Sequence, residues 1–217
     1  RITVSAKKMS ELCKSLPEDE KINFFVEQGK LSIRAKSFQA DLVTISAEEF
    51  PELECSESLT EITIPSDDLR AILHNTHFSM ASQDVRYYLN GLYLELEGKK
   101  INAVATDGHR LAMSSRSLTD AASESANILP RKAVLELTKI LLSSDKLVNL
   151  TLGLNFLKVR SSKFEFSTKL IDGKFPDYNK VFPTGEAHSL VINREILLSA
   201  LNRAAVLSNE KYRGVRL

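Results

Sequence analysis

The 217 residues predict an α+β fold made of tandem copies of one module, each running strand, helix, then several strands. Internal repetition is the first observation that predicts it. AKKMSELCKSL (6–16) returns as RKAVLELTKIL (131–141), so that Lys7, Glu11, Leu12, Lys14 and Leu16 meet Lys132, Glu136, Leu137, Lys139 and Leu141 at a displacement of 125 positions. KLSIR (30–34) returns as FLKVR (156–160), one position further on, and Phe50-Pro51 returns as Phe175-Pro176. The second observation is a later echo. IPSDDLRAILHNTHF (64–78) matches INREILLSALNRAAV (192–206), and Leu69, Ile72 and Leu73 fall on Leu197, Ala200 and Leu201. Each stretch then leads to an x-Gly-apolar-x-Leu run, at 90–94 and 213–217. Self-similarity at a fixed period marks repeated structural units. The third observation is hydrophobic periodicity, which switches between about 3.6 and 2 residues in the same order in each copy.

These echoes divide the chain into the back half of one module (1–56), a complete module (57–184) and the front of a third (185–217). In the complete module EITIP reads as a short strand. Ser66 is placed to cap a helix whose inner face is Leu69, Ile72, Leu73 and Thr76. RYYLNGLYLELEG (86–98) alternates and reads as a strand ending at its glycine. INAVATDGHRLAMSSRS reads either as two strands joined at Asp107-Gly108 or as one long bent strand. Pro130 opens a helix through Leu142, with Val134, Leu137, Ile140 and Leu141 on one face. LVNLTLGL, FLKVRSS and KFEFSTKLI supply three further strands.

Composition narrows the function. Hydrophobic residues make up 43% and charged residues 26%, as in ordinary globular proteins, and no run approaches the roughly 18 apolar residues of a membrane helix. No charged-then-apolar leader opens the chain, and Cys13 and Cys55 are expected as reduced thiols of a cytosolic protein. A net charge of +1 does not suit a protein that grips DNA tightly along its surface, so any nucleic acid is held loosely or topologically. The chain begins at Arg1 and stops in the strand-like RGVRL, which reads as a fragment.

The stretch ATDGHR (105–110) sets an acid and an imidazole two positions apart, beside an arginine. Asp-Gly is first a tight-turn signal, because glycine accepts positive φ. A hydrolase needs an activated nucleophile, and no serine sits in a G-x-S-x-G elbow. A metal enzyme needs more ligands than His74 and His77, which no Cys or carboxylate cluster joins. The stretch is therefore expected to be a structural turn, with no catalytic residues, metal or cofactor. A hydrolase or metal enzyme built on Asp107, His109 and a serine would lose turnover on His109→Ala. A DNA-binding regulator would instead show a preferred operator sequence.

Pro130-Arg131-Lys132 places cations at a helix start, where free N–H groups favour anions, and Lys7 and Lys8 hold the equivalent place in the earlier copy. SQDVRYY (82–88) leads polar, basic and aromatic residues into a strand, a set that can meet DNA backbone. GKFPDYNKVFP (173–183) closes the module with apolar residues on an irregular linker.

HFSMASQDVRYYLNG, VATDGHRLA, LPRKAVLEL, STKLIDGKFPDY and LSNEKYRGVRL together resemble the bacterial sliding-clamp family, the β subunit of DNA polymerase III. The resemblance spans the whole chain. It implies three domains of one processivity fold, each of two β-α-β-β-β units, with helices lining the inside of a ring. Residues 1–56 would be the C-terminal half of domain I, 57–184 all of domain II and 185–217 the N-terminal part of domain III.

The implied function is a non-catalytic processivity factor. Such a ring encircles duplex DNA without regard to sequence, is loaded by an ATP-dependent clamp loader, and tethers the DNA polymerase III α subunit, other polymerases and repair proteins that carry clamp-binding motifs. It acts in the cytoplasm at the nucleoid. By the same resemblance, a cleft between domains II and III takes a short client peptide. Leu89, Thr106, Gly108, His109, Arg110, Leu111, Pro176, Lys180, Val181 and Tyr212 match it, with Lys180 where arginine is common and Tyr212 where phenylalanine is frequent. Gln83, Arg86, Tyr87, Tyr88, Arg131 and Lys132 would face DNA. In the full-length homodimer, Ala40 and Leu42 on an edge strand at 36–45 would meet Val206 and Leu207 of the other subunit. Relatives often carry a large aromatic at the position of Ala40. The 217 residues alone are expected not to close a ring, and only 57–184 to fold stably by itself.

Overall fold

The structure, a computed structural model, describes residues 1–36, 38–50, 60–143, 146–182, 189–208 and 215. It divides into two compact units, Arg1–Phe175 and Pro176–Leu217.

In the first unit the elements run β1 (Ile2–Thr3), α1 (Ala6–Ser15), β2 (Asn23–Glu27), β3 (Lys30–Ala35), β4 (Phe38–Val43) and β5 (Ile45–Ser46). After these come β6 (Thr60–Pro65), α2 (Ser66–His74), β7 (Gly91–Thr106), β8 (Leu111–Pro130), α3 (Arg131–Ile140), β9 (Leu147–Leu152), β10 (Phe156–Arg160) and β11 (Glu165–Lys169). Helix α1 and helix α3 stand at the displacement the repeat predicts, and β2, β3 and β4 recur as β9, β10 and β11. The strands form antiparallel sheets ordered β2-β3-β4 and β11-β10-β9-β6, a long β7–β8 hairpin, and a short β1–β5 pair.

The main core is shared by two helices and two sheets. Leu69, Ile72 and Leu73 of α2 and Val134 and Leu137 of α3 pack with Leu92, Leu94 and Leu96 of β7, Ile62 and Ile64 of β6, and Leu150 and Leu157 of β9 and β10. Thr76 is fully buried but lies just past the end of α2, where its hydroxyl donates to the Ile72 carbonyl at 2.7 Å. Repeat partners differ in burial. Val134, Leu137 and Leu141 are almost wholly enclosed, whereas Met9, Leu12 and Leu16 at matching positions are half-buried. The later copy has a second helix and a long hairpin around its helix; in the earlier copy the described elements are one helix, three paired strands and the small β1–β5 pair.

Three local expectations need correction. Ser66 is not a cap: it is the first helical residue, Pro65 precedes it in extended geometry, and no side chain caps the helix. Its N–H donates instead to the Lys146 carbonyl at 2.9 Å, because α2 begins directly at the end of a strand paired with β9. The run 86–98 is not one strand ending at Gly98. Residues Tyr87–Leu89 form a 3-10 turn, and β7 begins at Gly91 and continues through Gly98 to Thr106. Gly98 sits at φ +56 where the β7–β8 register slips, so it marks a bulge inside the hairpin. Of the two readings of 101–117, the structure has two strands joined at the Asp107-Gly108 turn.

In the second unit, Tyr178–Val181 forms a 3-10 turn and α4 (Arg194–Val206) a helix capped by the Asn193 side chain. No residue of α4 is buried. The expected strand at 213–217, apart from residue 215, lies outside the described residues, as do Tyr212 and Cys55. Cys13 is a free, exposed thiol. Among the described residues no helix is long and apolar enough to cross a membrane.

Gly91 offers a stability test. A Cβ there would lie 2.5 Å from the Leu129 carbonyl oxygen and 2.7 Å from the Ile128 side chain, and the paired backbone of β8 cannot retreat. Gly91→Ala is expected to destabilise the chain by about 1–3 kcal/mol, read as a lowered urea midpoint at unchanged slope.

Candidate functional site: the 106–111 turn and its surroundings

The turn that joins β7 to β8 is closed by the pair Thr106 and Leu111. Gly108 takes φ +88, a conformation costly to any side chain but glycine's single hydrogen. The Gly108 N–H donates to the Thr106 hydroxyl oxygen at 3.0 Å, and that hydroxyl donates to the Arg110 carbonyl at 2.7 Å. Asp107 organises the rest. Its Oδ1 accepts the main-chain N–H groups of His109 and Arg110 at 3.0 and 3.1 Å, and its Oδ2 accepts Arg110 Nε at 3.1 Å. Partial burial pushes the Asp107 carboxyl up, but these three donors outweigh it and hold it below the ordinary carboxylate value.

Asp107 thus engages His109 through the main chain, not through its ring, which is exposed. Among the described residues no group of three or more His, Cys, Asp or Glu could hold a metal ion. The His74 and His77 rings lie 5.5 Å apart, tilted by 48°, and His77 Nδ1 lies 2.8 Å from the His74 carbonyl oxygen.

Two arginines brace the turn, Arg110 from within it and Arg86 from outside. Arg110 donates through Nη2 to the Phe78 carbonyl at 2.7 Å, and its guanidinium lies 5.7 Å from the Phe78 ring centroid. Arg86 donates to Asp84 through Nε at 3.0 Å and Nη2 at 2.8 Å, and the same Nη2 reaches the Asp107 carbonyl at 3.2 Å. A Cβ on Gly108 would lie 3.0 Å from Arg86 Nη1, so the guanidinium passes directly beneath that glycine. The Arg86 hydrogen bonds lower the Asp84 pKa to about 2, and Asp84 in turn raises that of Arg86. Leu111 is half-buried, and Phe78 and Met113 are exposed. The outcome is a rigid turn, its charges matched internally, with apolar side chains beside it.

The residues matched by resemblance to a client cleft therefore fall into several places. Thr106, Gly108, His109, Arg110 and Leu111 form the turn itself. Leu89 is buried, with its N–H bonded to the Arg86 carbonyl and its own carbonyl accepting from Ala81, so it supports the Arg86 segment from within. In the second unit Pro176 and Val181 are exposed, and the Lys180 ammonium pairs with Asp177 Oδ2 at 3.2 Å. The contact with Lys180 holds the Asp177 carboxyl below its ordinary range.

The six residues expected to face DNA are likewise divided. Gln83, Arg131 and Lys132 border a shallow cavity of about 560 Å³ together with Asn90, Leu135 and Lys139. Gln83 sits at φ +58, and Arg131 Nη1 donates to the Met80 carbonyl at 3.1 Å. Tyr87 and Tyr88 meet edge to face at 5.8 Å beside Gly173, where a Cβ would come within 3.2 Å of the Tyr87 ring. Arg86 reaches 107–108 through its bond to the Asp107 carbonyl. Sequence reasoning does not single out Phe78 and Asp84 as neighbours of the turn; the spacing D-x-R at 84–86 is the available signal for the ion pair.

The expected seam residues sit as follows. Among the described residues β4 pairs only with β3, so it is an edge strand, with Phe38, Ala40 and Leu42 half-buried on one face. Val206 and Leu207, at the end of α4, are among the most exposed apolar residues of the chain.

Comparison with known proteins follows the same lines. Residues 63–177 match the family model described as DNA polymerase III beta subunit, central domain, and residues 1–54 match its N-terminal domain. The chain is 44% identical over 220 residues to the Beta sliding clamp of Pseudomonas aeruginosa and 40% identical over 215 residues to that of Escherichia coli K12. It spans 59% of the length of each. Among solved structures, that of the P. aeruginosa DnaN sliding clamp bound to griselimycin superposes with TM-score 0.89 at 43% identity, over 98% of this chain and 58% of that one. Caulobacter crescentus pol III beta superposes at 0.84 with 29% identity, over 95% and 58%.

Acid titration tests the brace. The Asp84 carboxyl falls from an ordinary 3.8 to about 2 in the folded chain, so the stability it contributes is present above pH 4 and is lost as pH falls through about 2. Side-chain carbon NMR is expected to give a midpoint near 2; a midpoint near 4 would mean that Arg86 is not held there.

Proposed function

Because the chain belongs to the DNA polymerase III β-subunit family, the bacterial sliding clamps, we propose that it forms part of a non-catalytic ring that encircles duplex DNA and tethers polymerases and other clients. Residues 1–56 are the C-terminal half of its first domain, 57–184 its second and 185–217 the start of its third. The ring is a homodimer in the full-length protein, is loaded by a clamp loader, and works in the cytoplasm on nucleoid DNA. Its clients are the polymerase III α subunit and other polymerases and repair proteins carrying clamp-binding motifs.

The observation that carries this reading is the 106–111 turn. It is held by hydrogen bonds accepted by Asp107 and by the Thr106 hydroxyl, sets exposed Phe78 against Arg110, and leads into Leu111 and exposed Met113 two positions apart on β8. A preformed apolar surface with internally neutralised charges suits a short peptide whose apolar side chains supply most of the binding energy. Titrating an amide-capped pentapeptide ending in Leu-Phe against wild type and Leu111→Asp tests it. The variant is expected to bind at least about tenfold more weakly, in line with the truncation cost of a central apolar anchor; equal affinity sinks the reading.

DNA is held by few contacts. A net charge of +1 favours topological retention over surface grip. Helix α3 has no acid in its first turn and carries Arg131 and Lys132 there, whereas α2 carries Asp67 and Asp68. Cations at a helix start oppose the dipole by a few tenths of a kcal/mol each, roughly, and an approaching phosphate offsets that cost. With Gln83, Arg86, Tyr87 and Tyr88 they make the DNA-facing set, and Arg86 is in addition bonded to the turn. Charge reversal at Arg131 and Lys132 is expected to shorten retention of the full-length ring on circular DNA and to flatten its salt dependence; unchanged retention would remove these residues from the set.

A further inference from the structure

We propose that Asp84 is the positioning residue of the client site: it holds the Arg86 guanidinium against the main chain at 107–108 and thereby sets the turn in its binding shape. The proposal rests on the client-peptide reading above and deepens it.

Asp84 is itself fixed from both sides. Its N–H donates to Asn90 Oδ1 at 2.9 Å, and its carbonyl accepts from Asn90 Nδ2 at 2.8 Å. Its carboxylate takes three donors from one residue, the main-chain N–H of Arg86 at 2.8 Å and two guanidinium nitrogens. The geometry is bidentate, which fixes the plane of the guanidinium as well as its position. So oriented, Arg86 donates to the Asp107 carbonyl and fills the space beneath Gly108.

Asp107 and Arg110 fix the opposite side of the same turn, with Arg110 bonded to the Phe78 carbonyl. Each guanidinium is consumed by its own carboxylate. The turn is therefore held by two arginines yet presents little unpaired positive charge to a client, which favours apolar over acidic peptides. Asp84 touches no residue of the turn directly in this network; it acts through Arg86.

The test compares Asp84→Asn and Asp84→Glu with wild type by titration of two amide-capped pentapeptides, one neutral and ending in Leu-Phe, the other with Asp inserted before that pair. Asp84→Asn is expected to weaken the neutral peptide about five- to tenfold, since a charge-assisted bidentate pair is lost, and to narrow the preference over the acidic one. Asp84→Glu is expected to recover most of the loss. Amide hydrogen exchange read without peptide separates positioning from general stability. Gly108, His109 and Arg110 should exchange faster in Asp84→Asn while Val104, in the buried hairpin, does not change. If wild type binds the neutral peptide and Asp84→Asn binds it equally, or if exchange at 108–110 is unaltered, the proposal is overturned. If wild type binds neither peptide while exchange at 108–110 rises in the variant, the brace stands and the client reading falls.

Discussion

The antiparallel pairing of β7 with β8 is the constraint from which the rest of the domain follows. Its register sets Leu92, Leu94 and Leu96 on the face that meets α2 and α3, and the same register brings Thr106 opposite Leu111. A shift by one residue would turn the whole apolar set outward and open the closing pair of the turn at once. Core and candidate site are therefore not separate achievements of the fold. One ladder of backbone hydrogen bonds serves both, and its two register shifts, on either side of Gly98, are taken up by extra residues of β8.

The site depends on that ladder for stiffness and on short polar contacts for shape. Asp107 collects three donors within the turn, and Arg86 and Arg110 tie the turn to segments on either side. Exposed ion pairs usually contribute little, because water and side-chain entropy compete with them. Here the pairs matter through geometry: each carboxylate orients a planar guanidinium, which then bonds a backbone carbonyl. A peptide that lands on such a surface pays less to order it than it would on a loose loop.

Relatives matched over the whole chain carry the sliding-clamp name, and in the turn Asp107 bonds the main-chain N–H of His109. The two helix starts of the complete module are chemically opposite, acids on α2 and cations on α3, although both follow a proline in extended geometry.

Much of this was legible in the sequence because it is local. The repeat, the inner faces of α2 and α3, the three closing strands and the Asp107-Gly108 turn all follow from periodicity and from glycine's freedom at positive φ, which depend on neighbours a few residues apart. The resemblance to sliding clamps rested on equally local strings. Other features were decided only when distant segments met. Ser66 is the first residue of α2 because the helix starts directly where β6 ends, a junction that Lys146, far along the chain, ties down by accepting the Ser66 N–H. The strand did not stop at Gly98, because pairing with β8 carries it through a bulge. Arg86 reaches a carbonyl 21 residues away and Arg110 one 32 residues away, so neither partner can be read from spacing. Hydrogen-bond partners of that kind are fixed by the summed register of a whole hairpin and its packing, which no window of sequence contains.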